Sequence, residues 1–413
     1  MVADFSEMRK KREEILRVKA AILNSNDSCS LQDIIDSDEY AFSGIKMLFS
    51  TNVSGAQLQV PESHRHVMRG LFSKNGLLAY SDSIRKEMKT GTSFIGYKQR
   101  ALLDTNLLSD LPKYLLGLDV TTKEKIKDTL DIIKITYRGG FDYGFPMLEN
   151  LRQFTSDNNP YPVLKVSAAI YLDHKFRDSI PSHTSNDNIF EPYFEQAEKF
   201  WLDFRASKGM WLFLDNRDLI YAVLLKTYYM CLSRNKITIE SALNELLTFC
   251  LDKLGVIPLK ELYFAWKIVI GFSIGYFTPA FDESSLKSPK KNTISRIGAL
   301  AWDLFIFRFS ETLLTEEKGN YFYVPSVTTL DQGLLDTVAS CPVRAMISFP
   351  DIEYVETIFE DELQFQQCLN SSMSIKQKMM ISESTRNIKG NRKLRYHITL
   401  SICELEKLIR ELK

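Results

Sequence analysis

The chain predicts an α/β fold: a mostly parallel sheet, interrupted by a large α-helical insertion and flanked by helical N- and C-terminal segments. Three observations carry this. A short apolar run at 101–103 stops at Asp104-Thr105-Asn106 and gives way to the helical spacing of Leu107, Leu108 and Leu111, so a strand runs through a turn into a helix. A second alternation of helix and strand occupies 290–350. Between them, 160–280 is dense in aromatics and long helical patterns such as PYFEQAEKFWLDF and RDLIYAVLLKTYYMCL.

Taken in order, residues 5–23 read as a charged amphipathic helix, with Phe5, Met8, Ile15, Leu16 and Val18 on one face. Glycine and serine punctuate short helical pieces over 24–96, so 1–94 reads as an N-terminal helical segment. Residues 95–155 form the first part of the α/β domain. Helical periodicity from 123 breaks at Gly139-Gly140 and resumes through FDYGFPMLENLRQF. Residues 156–289 are the helical insertion, and SSLKSPKKNTIS at 284–295 is the clearest loop. The second part of the domain, 290–350, holds a helix (ISRIGALAWDLFIFRFSETLL), a strand (NYFYVPSV), a turn (TTLDQGLLD) and a further strand (VRAMISF). These strands are expected in one sheet with the run at 101–103. A mostly helical extension, 351–413, completes the chain.

Composition removes several classes of function. The 413 residues balance 52 Lys+Arg against 52 Asp+Glu, with 45% hydrophobic and 25% charged, an ordinary globular make-up. Collagen-like, disordered and disulfide-scaffold chains are excluded, and zero net charge argues against a surface that grips nucleic acid everywhere. The six cysteines form no CxxC pair and the five histidines do not complete a zinc pattern, so reduced, buried thiols are expected. FAWKIVIGFSIGYF is too short to span a bilayer and carries Lys267. With no signal-peptide pattern at the start, a cytoplasmic protein without a membrane partner is expected.

Four acids stand out. Asp104 ends the first apolar run, where open α/β sheets line their ligand crevice; the plain alternative is a helix N-cap. Glu149 lies among apolar residues of a helix. Asp303 sits in ALAWDLFIFRF, where a carboxylate must be paired, metal-bound or protonated, Arg308 or Arg296 being the ordinary partners. Asp331 follows the strand-like FYVPSV, and its plain alternative is a turn aspartate before Gly333.

In that order, ALLDTNLL, FPMLENL, ALAWDLFIF and SVTTLDQGL resemble the PIN-like nuclease superfamily, over 95–155 and 290–350. The chain departs from it in the long insertion and in the wide Asp303–Asp331 spacing. The resemblance implies a three-layer PIN-like domain and a metal-dependent endonuclease. Asp104, Glu149, Asp303 and Asp331 would be its catalytic and metal-binding residues, and Mg2+ or Mn2+ its cofactor. RNA is the implied substrate ahead of DNA, and a toxin or antiphage effector the implied setting. The chemistry agrees, since phosphodiester hydrolysis uses hard cations held by carboxylates. Asn106 and Thr329 would orient ligands and the scissile phosphate. Lys287, Lys290, Lys291 and Arg296, ahead of the Asp303 helix, would contact the polyanion, with Lys290 and Lys291 serving affinity rather than the chemical step. The extra helices suit a protein regulator or second subunit, and a homo-oligomer stays open.

Rival signals are fewer. Arg392-x4-His397 resembles the R-x4-6-H motif of HEPN ribonucleases, which work without metal. His64-Arg65-His66 lacks an accompanying carboxylate cluster. Asp218 competes for the late-helix acid, but no strand with T-x-D follows it. A non-catalytic helical interaction module is the remaining alternative, and it expects the acids to be scattered. No GxGxxG or P-loop supports a nucleotide cofactor.

Overall fold

The computed structural model describes residues 5–25, 31–52, 55–58, 60–92, 94–136, 140–152, 161–177, 189–234, 236–275, 277–281, 290–316, 321–352, 354–375, 377–378 and 392–412. The N-terminal segment is not all helical. After α1 (Phe5–Asn24) and α2 (Leu31–Asp36) come four strands, β1 (Lys46–Thr51), β2 (Ala56–Gln57), β3 (Met68–Gly70) and β4 (Gly76–Ser81), then α3 (Asp82–Thr90). Every residue of β1 is buried. Such a short run shows no alternation, and periodicity alone cannot tell it from a buried helical piece. In α1, Val18 and Ile22 are buried as the pattern demands, whereas Leu16 is exposed; the side chains of Phe5 and Met8 lie outside the description.

The strand, turn and helix around Asp104 form as read: β5 (Gly96–Leu103) runs into α4 (Thr105–Leu115). The end of β5 is buried on both faces, which suits a continuous apolar run in a parallel sheet. After α5 (Lys123–Thr136) the pattern is corrected, because Phe141–Asp142 is a strand, β6, and only Gly144–Arg152 is helix, α6. Gly144 is where α6 can start: a Cβ there would lie 3.1 Å from Asp142 Oδ1 and 3.2 Å from the Phe309 ring.

The described part of 156–289 is helical, built on α7 (Tyr161–Phe176), α8 (Phe194–Ala206), α9 (Lys208–Leu232), α10 (Ile239–Phe249) and α11 (Leu259–Ile274). Of the predicted loop at 284–295, residues 284–289, including Lys287, lie outside the described residues. Then follow α12 (Thr293–Glu316), β7 (Tyr321–Thr328), α13 (Gln332–Ser340), β8 (Val343–Phe349), β9 (Tyr354–Phe359), α14 (Glu362–Ser372) and α15 (Arg392–Glu411). Among the described residues, no helix is long and apolar enough to cross a membrane.

Two sheets result, so the expected single sheet is corrected. The first has the order β3-β7-β5-β6: β5 pairs parallel with β7 along its whole length and with β6, and β3 closes the edge antiparallel to β7. The second, β2-β4-β1-β8-β9, is antiparallel throughout and takes VRAMISF away from the first. Its β1–β8 ladder joins segments almost 300 residues apart, a pairing that no local pattern announces. The sheets meet where Val343 N–H donates to Leu71 O (2.9 Å) and Ser73 N–H to Val343 O (2.9 Å). In the parallel sheet the chain leaves β5 for β6 on one side and returns to β7 on the other. The order reverses beside β5, and the carboxyl ends there frame the crevice in which open α/β sheets bind ligands.

Candidate active site

Asp104 is the first residue beyond β5. Its backbone N–H donates to Thr328 O (2.9 Å), which locks the end of β5 to the end of β7. It occupies the N-cap position of α4, where the Thr105 and Asn106 amides lie close enough to favour its charged form. Its buried Oδ2 accepts the Thr329 hydroxyl at 2.7 Å. The same Thr329 hydroxyl accepts the N–H of Asp331 (2.9 Å), and Thr329 N–H reaches Val67 O (3.0 Å). One threonine thus ties the carboxyl ends of β5 and β7 to Val67, the residue that leads into β3.

Across the start of α4, Thr105 donates its hydroxyl to Glu149 Oε2 at 2.5 Å. Glu149 lies in α6, which follows directly from β6, so two strand ends deliver two carboxylates to one crevice. Burial pushes the Asp104 carboxyl up to about 6; the Thr329 hydroxyl and the first amides of α4 pull it down, and Glu149 pushes it further up. Lys165 of α7 stands near Glu149 and bonds Asn150 Oδ1 (3.3 Å); burial lowers its pKa.

The other expected site residues are placed differently. Asp331 is exposed, and its carboxylate accepts Gly333 N–H (2.8 Å) as the N-cap of α13, so the turn-aspartate alternative describes its side chain. Asn106 is exposed on the first turn of α4. Asp303 is half-buried on α12 between Trp302 and Leu304, and Trp302 and Phe305 pack against Phe145 of α6. Its helix therefore packs on the helix that carries Glu149. Yet among the described residues no three His, Cys, Asp or Glu side chains gather closely enough to hold a metal, so the expected convergence of three acids is not seen. Arg308 is engaged elsewhere, by Glu261 and Glu311.

Lys290, Lys291 and Arg296 are exposed around the start of α12, where Gly298 O accepts a bond from Arg217 of α9 (3.1 Å). Asp218 is paired with Arg152 (3.1 Å) and Arg217 (3.3 Å), an ordinary structural acid. His397 is exposed on α15 with its ring against Tyr396, while the side chain of Arg392 lies outside the described residues.

Three residues of the site escaped the sequence reading. Thr105, the link to Glu149, looked like part of a turn. Asp142, half-buried at the end of β6 with Oδ1 accepting Gly144 N–H (2.7 Å), is raised in pKa by desolvation. The signal was present: FD after Gly-Gly repeats the apolar-then-Asp ending of ALLD. Lys165 had no local mark at all.

The Thr329 relay gives a direct expectation. Thr329→Val removes the donor to Asp104 and the acceptor for Asp331 N–H, and should cost about 1–3 kcal/mol. The Asp104 pKa should climb above about 6, since a bond that lowers it is gone. Carboxyl NMR titration reads the shift; Thr329→Ser should restore the native value, and an unchanged pKa in Thr329→Val would refute the relay.

Comparison of the chain with protein-family models, with curated proteins and with solved structures returned no match.

Proposed function

We propose that the chain is a divalent-metal-dependent nuclease with a PIN-like α/β core, hydrolysing RNA at the crevice between the ends of β5, β6 and β7. The observation that carries the reading is the treatment of Asp104. A buried carboxylate at the point of strand reversal is held by the Thr329 hydroxyl, with Glu149 close enough to push its pKa further up.

The donors suit a hard cation. Magnesium commonly takes one or two carboxylates, completing its shell with waters and substrate phosphate oxygens. Asp104 and Glu149 provide that number, and their mutual repulsion is the kind a bound cation relieves. When bound, such a cation supplies a water of lowered pKa and a counter-charge for the leaving oxygen. Asp104 and Glu149 would hold it. Thr329 fixes the Asp104 rotamer and Thr105 the Glu149 carboxylate, so neither acid reorganises as the reaction proceeds. The positive end of α4, with Asn106 exposed on its first turn, would favour an incoming phosphate. Asp303 and Asp331 enter this scheme as supports from α12 and from the Thr329 turn. The helical insertion would seat a regulator or second subunit.

Cleavage of a labelled single-stranded or structured RNA should vanish in excess chelator and return on adding magnesium or manganese. Full cleavage in chelator, lost on His397→Ala, would establish the metal-free ribonuclease instead.

A further inference from the structure

A second feature lies one strand beyond the crevice. A cavity of about 240 Å3 opens along β3, walled by Val60, Phe72, Val338 and Pro342 and carrying the guanidinium groups of Arg65 and Arg69. That is smaller than the roughly 300–1,000 Å3 of most organic-ligand sites, and fits a phosphate group with part of its sugar. The two arginines are close enough to repel each other. Burial lowers the Arg69 pKa first, Arg65 lowers it further, and Asp336 on α13 opposes both only weakly. Among the described residues neither arginine has a carboxylate within ion-pair distance. The neighbouring acid Glu360 is already taken, by Ser73 (2.8 Å) and Lys74 (2.9 Å).

Arg65 is exposed and Arg69 half-buried, so water screens the two like charges in part, and an anion seated between them would relieve the repulsion that remains. The guanidinium fork is the side-chain geometry best matched to phosphate oxygens, and Arg65 and Arg69 offer two.

We propose that this cavity is a phosphate-binding subsite for a single-stranded polynucleotide. It seats a backbone phosphate a short distance along the strand from the crevice. This rests on the nuclease reading, because continuity with that site selects a polynucleotide over other anions. Thr329, which holds Asp104, bonds through its N–H to Val67 O, midway between Arg65 and Arg69 in sequence. β3 and β5 flank β7, so the backbones of Arg69 and Asp104 stand about two strand spacings apart, on the order of 10 Å. A strand laid across the carboxyl ends of β5 and β7 reaches both. The apolar wall gives a sugar or base a surface on the way.

Fluorescence anisotropy with a short labelled single-stranded RNA, in chelator so that no cleavage intervenes, tests this on the full chain. Arg65→Ala/Arg69→Ala should weaken binding at least tenfold and flatten the log–log salt dependence by about 0.7, the contribution of the one phosphate seated there. Circular dichroism should show the native melt, and Arg65→Lys/Arg69→Lys should recover part of the affinity while keeping the charge. Asp104→Asn should bind as tightly as wild type, which separates this inference from the cleavage reading: loss of cleavage without loss of binding leaves the subsite standing. Unchanged affinity and salt slope in the double alanine variant would overturn it, even if cleavage proves metal-dependent. It would also be overturned if inorganic phosphate or poly-glutamate bound through these arginines while RNA did not.

Discussion

Asp104→Asn should reduce RNA cleavage at least a thousandfold while leaving the metal-free protein as stable as wild type or more so, by ~1 kcal/mol. The direction follows from linkage. The Asp104 pKa is raised from 3.8 to about 6 by its burial and, further, by Glu149. Between those values the folded state binds the proton that the unfolded state has lost. Stability therefore falls as pH rises through that window, by ~3 kcal/mol once the group is fully ionised. Asparagine removes the penalty, but also a charge-assisted bond from Thr329, worth ~1.5–3 kcal/mol, so only part of the gain survives. Urea denaturation of both proteins at pH 4 and pH 7.5 checks this: wild type should lose more stability than the variant between the two. Equal losses, or a variant several kcal/mol weaker at pH 7.5, would mark Asp104 as a structural residue.

The largest effect on stability should come from far outside the crevice. Arg308 of α12 donates to the fully buried Glu261 of α11 at 2.7 and 3.1 Å and reaches Glu311 at 3.4 Å, while Lys260 pairs with Glu311 and Thr357 of β9 caps it. This network stitches the insertion to the antiparallel sheet. Arg308→Leu strands a buried carboxylate and should cost about 3–5 kcal/mol at pH 7. Glu261→Leu/Arg308→Leu, which removes both charges, should recover most of the stability. A single variant that loses under 1 kcal/mol, or a double variant as weak as the single, would contradict this assignment.

How legible these features were depended on how local their causes are. The run ALL, its stop at Asp104 and the leucine spacing after it lie within a dozen residues, and β5, its turn and α4 stand where that pattern puts them. The helices of the insertion were legible for the same reason. The antiparallel sheet was not, since β1 is a short buried run whose partners include β8, far along the chain. β6 has two residues, too few for any period to register. In the site, Asp104 could be picked out by its place at a strand end. The Thr105–Glu149 bond and the use of Arg308 by Glu261 depend on how helices pack, which the chain does not state locally.

The central claim, that Asp104 and Glu149 form a cation site, is tested most directly by the melting temperature of wild type and Asp104→Asn with and without magnesium. A cation that binds only the folded state raises the melting point by mass action. Wild type should gain a magnesium-dependent increase that saturates, and Asp104→Asn should lose most of it while melting no lower without metal. A strongly destabilised Asp104→Asn whose melting point still rises with magnesium as in wild type would contradict the claim.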